Sequence, residues 1–190
     1  MIDLLRSGIA AALCTLGVAA QAQSFHAGIA GGATKSNSGC LGATTCDKTD
    51  TGGRAWVGLT NKDGLGLEIV AQDFGAVRVT TVAGAITTEG KATLRGIGIG
   101  PIFEYREGNW SFHARAGIGR YETKLRASNG IASSSAGDHT NEFYWSAGFG
   151  YLVSPRITAI VAIDSSKANN RAASYNYEAV MYSLGVQFGF

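Results

Sequence analysis

The sequence predicts an all-β chain, an eight-stranded antiparallel up-and-down barrel that crosses a membrane. Three observations carry this. The last twelve residues, Ala179–Phe190, alternate strictly, with Val180, Tyr182, Leu184, Val186, Phe188 and Phe190 on one face. The other face holds Ala179, Met181, Ser183, Gly185, Gln187 and Gly189, mostly small or polar and free of charge. A period of two marks a strand with different surroundings on its two sides. Small and polar inward with large and apolar outward fits a narrow barrel in lipid. Taken alone, this strand also fits the edge of a soluble sandwich. The second observation is composition: charged residues are 16%, against a usual value of about 25%, so much of the surface does not face water. Glycine numbers 27 and proline 2, which points away from helices and disorder. The third is an alternation of short and long connections along the chain.

A cleaved leader is predicted over Met1–Ala22. Arg6 lies in a short n-region, Gly8–Ala20 is an apolar run, and Ala20-Gln21-Ala22 fits small-x-small cleavage. The run falls short of the roughly 18 residues a membrane helix needs. Leu13 before Cys14 is too large for lipoprotein processing. The remainder, 23–190, has the length of one domain. Removing Asp3 and Arg6 together leaves the net charge at +2, too small a bias to argue for nucleic acid. With Cys14 gone, Cys40 and Cys46 remain. In an oxidising exported compartment a disulfide between them is favoured over two free thiols, and their spacing is not a zinc signature.

In chain order, Ser24–Thr34 is the first strand, with Phe25, Ala27 and Ile29 opposed to His26, Gly28, Ala30 and Gly32. Lys35–Gly52 is polar and holds both cysteines, so it is predicted as a loop. Gly53–Thr60 is the second strand, although periodicity leaves open whether Trp56 or its neighbours Ala55 and Val57 face outward. Asn61–Gly64 is a tight turn by composition. Leu65–Phe74 sets Leu65, Leu67, Ile69 and Ala71 against Gly66, Glu68, Val70 and Gln72. A long polar stretch centred on Thr80–Gly90 follows. Thr93–Tyr105 then puts Ile97, Ile99, Pro101, Phe103 and Tyr105 opposite Gly96, Gly98, Gly100, Ile102 and Glu104. After a turn at Arg106–Asn109, Trp110–Thr123 turns Ser111, His113, Arg115, Gly117 and Gly119 inward. Lys124–Asn141 is a third long loop, Glu142–Val153 the sixth strand and Ser154–Arg156 a short turn. Ile157–Asp164, a loop at Ser165–Ser174 and Tyr175–Phe190 complete the pattern. Three short and four long connections alternate, as with periplasmic turns and extracellular loops. A soluble barrel would bury its large apolar residues inside, where this chain is expected to have mostly glycine. Outward Tyr105, Trp110, Tyr151 and Phe190 suit an interfacial girdle.

Glu68 and Arg115 both point inward by alternation. An eight-stranded lumen is only wide enough for side chains, so the two are expected to pair across it. His26 and His113 lie on inward faces, and His139 closes the third loop. No Ser or Asp stands at a convincing triad spacing from them. No catalytic residue, metal ligand or cofactor is therefore predicted. Lys91, Arg95, Arg120, Lys124 and Arg126 fall near the outer strand ends. There they could meet lipopolysaccharide phosphates, or form an ordinary solvated rim.

Four segments carry a family resemblance: Asp63–Gly75 (DGLGLEIVAQDFG), Phe112–Lys124 (FHARAGIGRYETK), Ser146–Ile157 (SAGFGYLVSPRI) and Met181–Phe190 (MYSLGVQFGF). In order and spacing the chain from Ser24 onward resembles the OmpA-like transmembrane-domain family of outer-membrane barrels. The resemblance implies an eight-stranded barrel in the bacterial outer membrane, with Phe188 and the terminal Phe190 read as the signal for the barrel-assembly machinery. Glu68 and Arg115 stand at positions like the family's strand-three acid and strand-five base. Ile160 and Gly150 stand where its basic and acidic partners are expected, which argues against the gated pore of some members. The chain stops at the eighth strand, so the peptidoglycan-binding domain of longer members is not expected. The His-x-Ser-Asn segment of lipid A deacylase barrels is replaced here by His139-Thr140-Asn141. The expected function is a monomeric, membrane-anchored structural or surface-interaction protein. Its partners would be outer-membrane lipid, lipopolysaccharide and ligands met through its loops. A narrow channel for small solutes is the alternative, and a lipid A-modifying enzyme ranks below both.

Overall fold

The computed structural model describes residues 24–37, 40, 43–84, 86–170 and 175–190, without the side chains of 169, 170, 175 and 176. The leader expected at Met1–Ala22, Cys14 included, lies outside the described residues. The strands are β1 (Ser24–Ser36), β2 (Thr45–Asp47), β3 (Thr49–Thr60), β4 (Leu65–Ala83), β5 (Ile86–Glu107), β6 (Trp110–Ser128), β7 (Ser133–Ser154), β8 (Ile157–Asn170) and β9 (Tyr175–Gly189). Every pairing is antiparallel. The sheet closes because β4 pairs with β5 and β1 pairs with both β3 and β9. The ring has eight strands, and β2 lies outside it against β4. Closure removes the open edges that would otherwise leave backbone groups unpaired in lipid. It is completed at the chain end, where Phe190 donates its N–H to the Phe25 carbonyl at 2.9 Å and the two rings lie 5.4 Å apart.

The belt and lumen faces follow the alternation. Leu65, Leu67, Ile69, Ile97, Ile99, Phe103, Phe143, Leu184 and Phe188 are exposed outward, while Glu68, Val70, Gln72, Ile102 and Met181 are buried inside. Trp56 settles the one open strand: it is 2% exposed, and Val57 beside it is turned out. The short turn at Asn61–Gly64 is built by the Asn61 side chain, which accepts the N–H groups of Asp63 and Leu65 at 3.0 and 2.9 Å. Gly64 supplies the positive φ of 78° that this turn requires.

Two expectations need correction. The long polar stretches are largely strand, not loop. β4 runs to Ala83 and β5 restarts at Ile86, while β6 runs to Ser128 and β7 restarts at Ser133. β2 is a further strand inside the first predicted loop. His139, expected to close a loop, is a strand residue opposite Glu122. Beyond the lipid a hairpin needs no apolar face, and Thr- and Val-rich runs such as Thr80–Val82 and Thr87–Thr88 suit strands even where they are polar. Polarity alone therefore reads wrongly as loop. The second correction is the interior, which is filled rather than merely lined with glycine. The glycines provide room for rings: a Cβ at Gly28 would lie 2.2 Å from Trp56, and one at Gly98 2.5 Å from Tyr144. Tyr121 lies against Gly96 and Gly119 in the same way. Trp56, Tyr121 and Tyr144 join Phe74, Leu94 and Met181 in one buried cluster.

Candidate functional site

Two regions carry the chain's polar chemistry: the lumen and the outer rim. In the lumen, Arg115 of β6 reaches past β5 to Glu68 of β4. Its Nε donates to Glu68 Oε2 at 3.0 Å and lies 2.9 Å from Oε1. Gly100 stands opposite Glu68 on the intervening strand, so no side chain there competes for the space. His26 Nε2 lies 3.4 Å from the same carboxylate, on Oε2. A second pair joins Arg54 of β3 to Asp164 of β8. Arg54 also donates to Ser146 Oγ at 2.9 Å, and Ser183 Oγ donates to Asp164 Oδ2 at 3.0 Å. The two pairs are linked by Trp56, whose ring lies 4.5 Å from the Arg54 guanidinium and 5.0 Å from that of Arg115. Its indole N–H donates to Gln187 Oε1 at 3.1 Å. Further along the lumen, the Tyr121 hydroxyl donates to Gln72 at 2.5 Å. Each buried charge thus has an opposite partner, as a low-dielectric interior demands.

Arg54 and Asp164 were missed by the sequence reading. Arg54 sits on the strand whose faces periodicity left open. Asp164 continues the inward series of Ile160 and Ala162, and that parity was the available signal. The second pair therefore comes from positions other than Ile160 and Gly150.

At the rim, Asp73, Arg95, Glu122 and His139 form one cross-strand row over β4 to β7. Arg95 Nε donates to Glu122 Oε2 at 2.9 Å, and Lys124 Nζ lies 3.0 Å from Oε1. These hydrogen bonds, that of Lys124 first and that of Arg95 next, hold the Glu122 carboxyl below its usual range. One step outward, Thr93 faces Lys124. A step further, Arg78, Lys91 and Arg126 stand directly opposite one another. Arg78, absent from the sequence-predicted set, is 3.4 Å from Asp50. Lys91, Arg120 and Arg126 have no ion-pair partner among the described residues. Four of the five predicted rim cations thus gather around Thr93, and Arg120 lies one step nearer the apolar belt. Cys40 and Cys46 are bonded, tying the first connection to β2, with Cys46 packed beside the core.

Residues 8–190 match the model of the outer membrane protein beta-barrel domain. The chain belongs to that family. Among solved structures it is similar to the Neisserial surface protein A (NspA), at 15% identity and a TM-score of 0.59, covering 87% of this chain and 97% of that one. It is also similar to Ail of Yersinia pestis in complex with the heparin analogue sucrose octasulfate, at 15% identity and a TM-score of 0.56, over 86% and 99%. The outer membrane protease OmpT of Escherichia coli shares the fold at 8% identity and a TM-score of 0.50, over 90% and 97%. No curated protein matches the sequence. A fold that these proteins share does not choose between their functions. Membership in the outer membrane barrel family places the chain in the bacterial outer membrane. With short turns on the periplasmic side, the cation-rich rim lies on the outer side, where the outward apolar run of β6 has ended at Ile118.

Proposed function

We propose that this barrel is a membrane-anchored structural and surface-interaction protein, not an enzyme. Its outer rim contacts lipopolysaccharide, and its extracellular hairpins are free to meet other surfaces. The observation that carries the reading is the asymmetry between its two polar regions. The lumen uses its charges internally, in the Arg54–Asp164 and Arg115–Glu68 pairs packed on Trp56. The rim leaves Lys91, Arg120 and Arg126 without ion-pair partners among the described residues. Charges turned toward each other serve stability, whereas charges turned outward are available to a partner. The test is extraction of the barrel from its own membrane. Lipopolysaccharide should co-purify with the wild-type chain and be reduced when Lys91, Arg120 and Arg126 are all replaced by Gln; equal recovery from both would overturn the reading.

One observation favours a second reading, a narrow channel. Arg54 Nε and Nη2 and Arg115 Nη1 and Nη2 are buried without a hydrogen-bond partner. Such donors call for water, and a continuous file of it would conduct.

A further inference from the structure

The outward face of β3 to β6 carries two adjoining features. The first is a shallow trench of about 600 Å³ on the lipid side at the top of the belt, lined by Ala55, Ala71 and Ile97 and, on its rim side, by Arg120, Glu122 and His139. Ala55 and Ala71 are direct cross-strand neighbours, so two small side chains lie together among larger ones. A second apolar hollow of about 490 Å³ shares Ala55, Ala71 and Ile97 and carries the depression down the belt toward Phe188. The second feature is a pocket of about 200 Å³ in which Lys91, Arg95, Lys124 and Arg126 surround Thr93. Asp73 and Arg95 line both the trench and this pocket, so the two are continuous.

The charge arrangement around Thr93 is unfavourable as it stands. Lys91 and Arg126 face each other directly across β5 and β6, with Arg78 on the far side of Lys91. Like charges directly opposite on a sheet destabilise it. Asp50 answers Arg78, and Glu122 is shared between Arg95 and Lys124. Asp73 and Glu89 are on the same face, and neither makes an ion pair with Lys91 or Arg126. An anion with several acceptor oxygens placed over Thr93 would accept hydrogen bonds from these cations and remove the repulsion. A phosphate monoester, with close to two charges and three free oxygens, fits that demand better than the single charge of a phosphodiester.

We infer that this face binds one molecule of a phosphorylated, acylated sugar lipid, the lipid A portion of lipopolysaccharide. One acyl chain lies in the Ala55–Ala71 trench, and a phosphate sits among Lys91, Arg95, Lys124 and Arg126. The adjacency of a chain-sized apolar trench and a cationic pocket on the outer side of the belt selects an amphiphile, and the charge surplus selects its head. This inference rests on the proposed contact with lipopolysaccharide and narrows it to a defined site.

The test is native mass spectrometry of the full barrel released from detergent, incubated in turn with lipid A, dephosphorylated lipid A and phosphatidylglycerol. Folding of each variant is checked by its heat-modifiable gel mobility. Wild-type barrel should retain lipid A at one molecule per chain, at least about tenfold better than either other lipid, the discrimination expected from losing charge-assisted hydrogen bonds. Lys91→Gln with Arg126→Gln should remove most of that preference. Ala71→Leu, which fills the trench with an apolar side chain in the lipid-facing belt, should weaken retention about tenfold, and Ala55→Leu should do the same by an independent route. Equal retention of phosphorylated and dephosphorylated lipid A overturns the phosphate assignment. Retention unaffected by both alanine substitutions overturns the trench while leaving a general lipopolysaccharide contact standing. No retention of lipid A by the wild type overturns both readings. A dimer mass abolished by Ala71→Leu would show that a second copy occupies the face, and would also overturn the inference.

Discussion

Arg54 and Asp164 bond to each other across the lumen from strands that do not pair, β3 and β8. Removing either leaves the other charge buried and uncompensated. Arg54→Ala and Asp164→Ala should each destabilise the barrel by about 3–5 kcal/mol. The double substitution should cost less than the sum of the two, because neither charge is stranded. The gel shift between folded and unfolded barrel, followed through a urea series, reads all three. Additive effects would mean that the pair contributes nothing as a pair.

Glu68 has two neighbours, Arg115 and His26. Arg115→Ala should also cost about 3–5 kcal/mol, and replacing Arg115 together with Glu68 by neutral polar residues should cost less than the separate losses combined. Because Trp56 touches both guanidinium groups, a cycle combining Arg54 with Arg115 substitutions should also depart from additivity. Independent behaviour of the two pairs would contradict a single network joined through Trp56.

Gly98 carries the space for Tyr144: a Cβ there would fall 2.5 Å from the ring. Gly98→Ala should destabilise by about 1–3 kcal/mol, the usual cost of overpacking. Adding Tyr144→Leu to the Gly98→Ala chain should recover part of that loss. If the two costs simply add in urea unfolding, the ring does not need the missing Cβ.

The belt predicts opposite results for one substitution at two heights. Leu184→Arg lies on the outward face of β9 among Val186, Tyr182 and the neighbouring Gly31, and should cost about 2–4 kcal/mol in a bilayer. Ser133→Arg, at the outer end of β7 opposite the uncharged Ser128, should be nearly neutral. Equal costs in vesicle unfolding experiments would misplace the membrane.

The rim predicts a pH signature. Glu122 is held below the usual carboxylate range, by the hydrogen bond from Lys124 first and that from Arg95 second. A depressed carboxyl contributes stability that is complete above the unfolded value and is lost as pH falls through the lower folded value. Nothing attributable to Glu122 should therefore change between neutral pH and about pH 5. Its carboxyl resonance should titrate below that of an unpaired glutamate and move upward more in Lys124→Gln than in Arg95→Gln. The reverse order would reassign its main partner.

Much of this was legible in the sequence, for physical reasons. Lipid demands an unbroken apolar outward face, so Leu65–Ile69, Ile97–Phe103 and Tyr182–Phe190 alternate cleanly, and Glu68 and Arg115 could be placed inside by counting. Outside the lipid that demand disappears, and Thr80–Gly90 and Lys124–Asn141 read as loop although Thr80–Ala83, Ile86–Gly90, Lys124–Ser128 and Ser133–Asn141 pair as strand. Arg54 was hidden because alternation on its own strand is ambiguous: Trp56 inside and Val57 outside are both apolar. The gathering of Lys91, Arg95, Lys124 and Arg126 around Thr93 depends on the register between β5 and β6, which sequence spacing alone does not give.

The lumen is closed by its own side chains, and single-barrel conductance in planar bilayers tests that most directly. The wild-type chain should give no sustained current, while replacing Arg54, Trp56 and Arg115 together by Ala should open steps of current through folded barrels. A steady conductance from the wild type would contradict the account and make the barrel a channel.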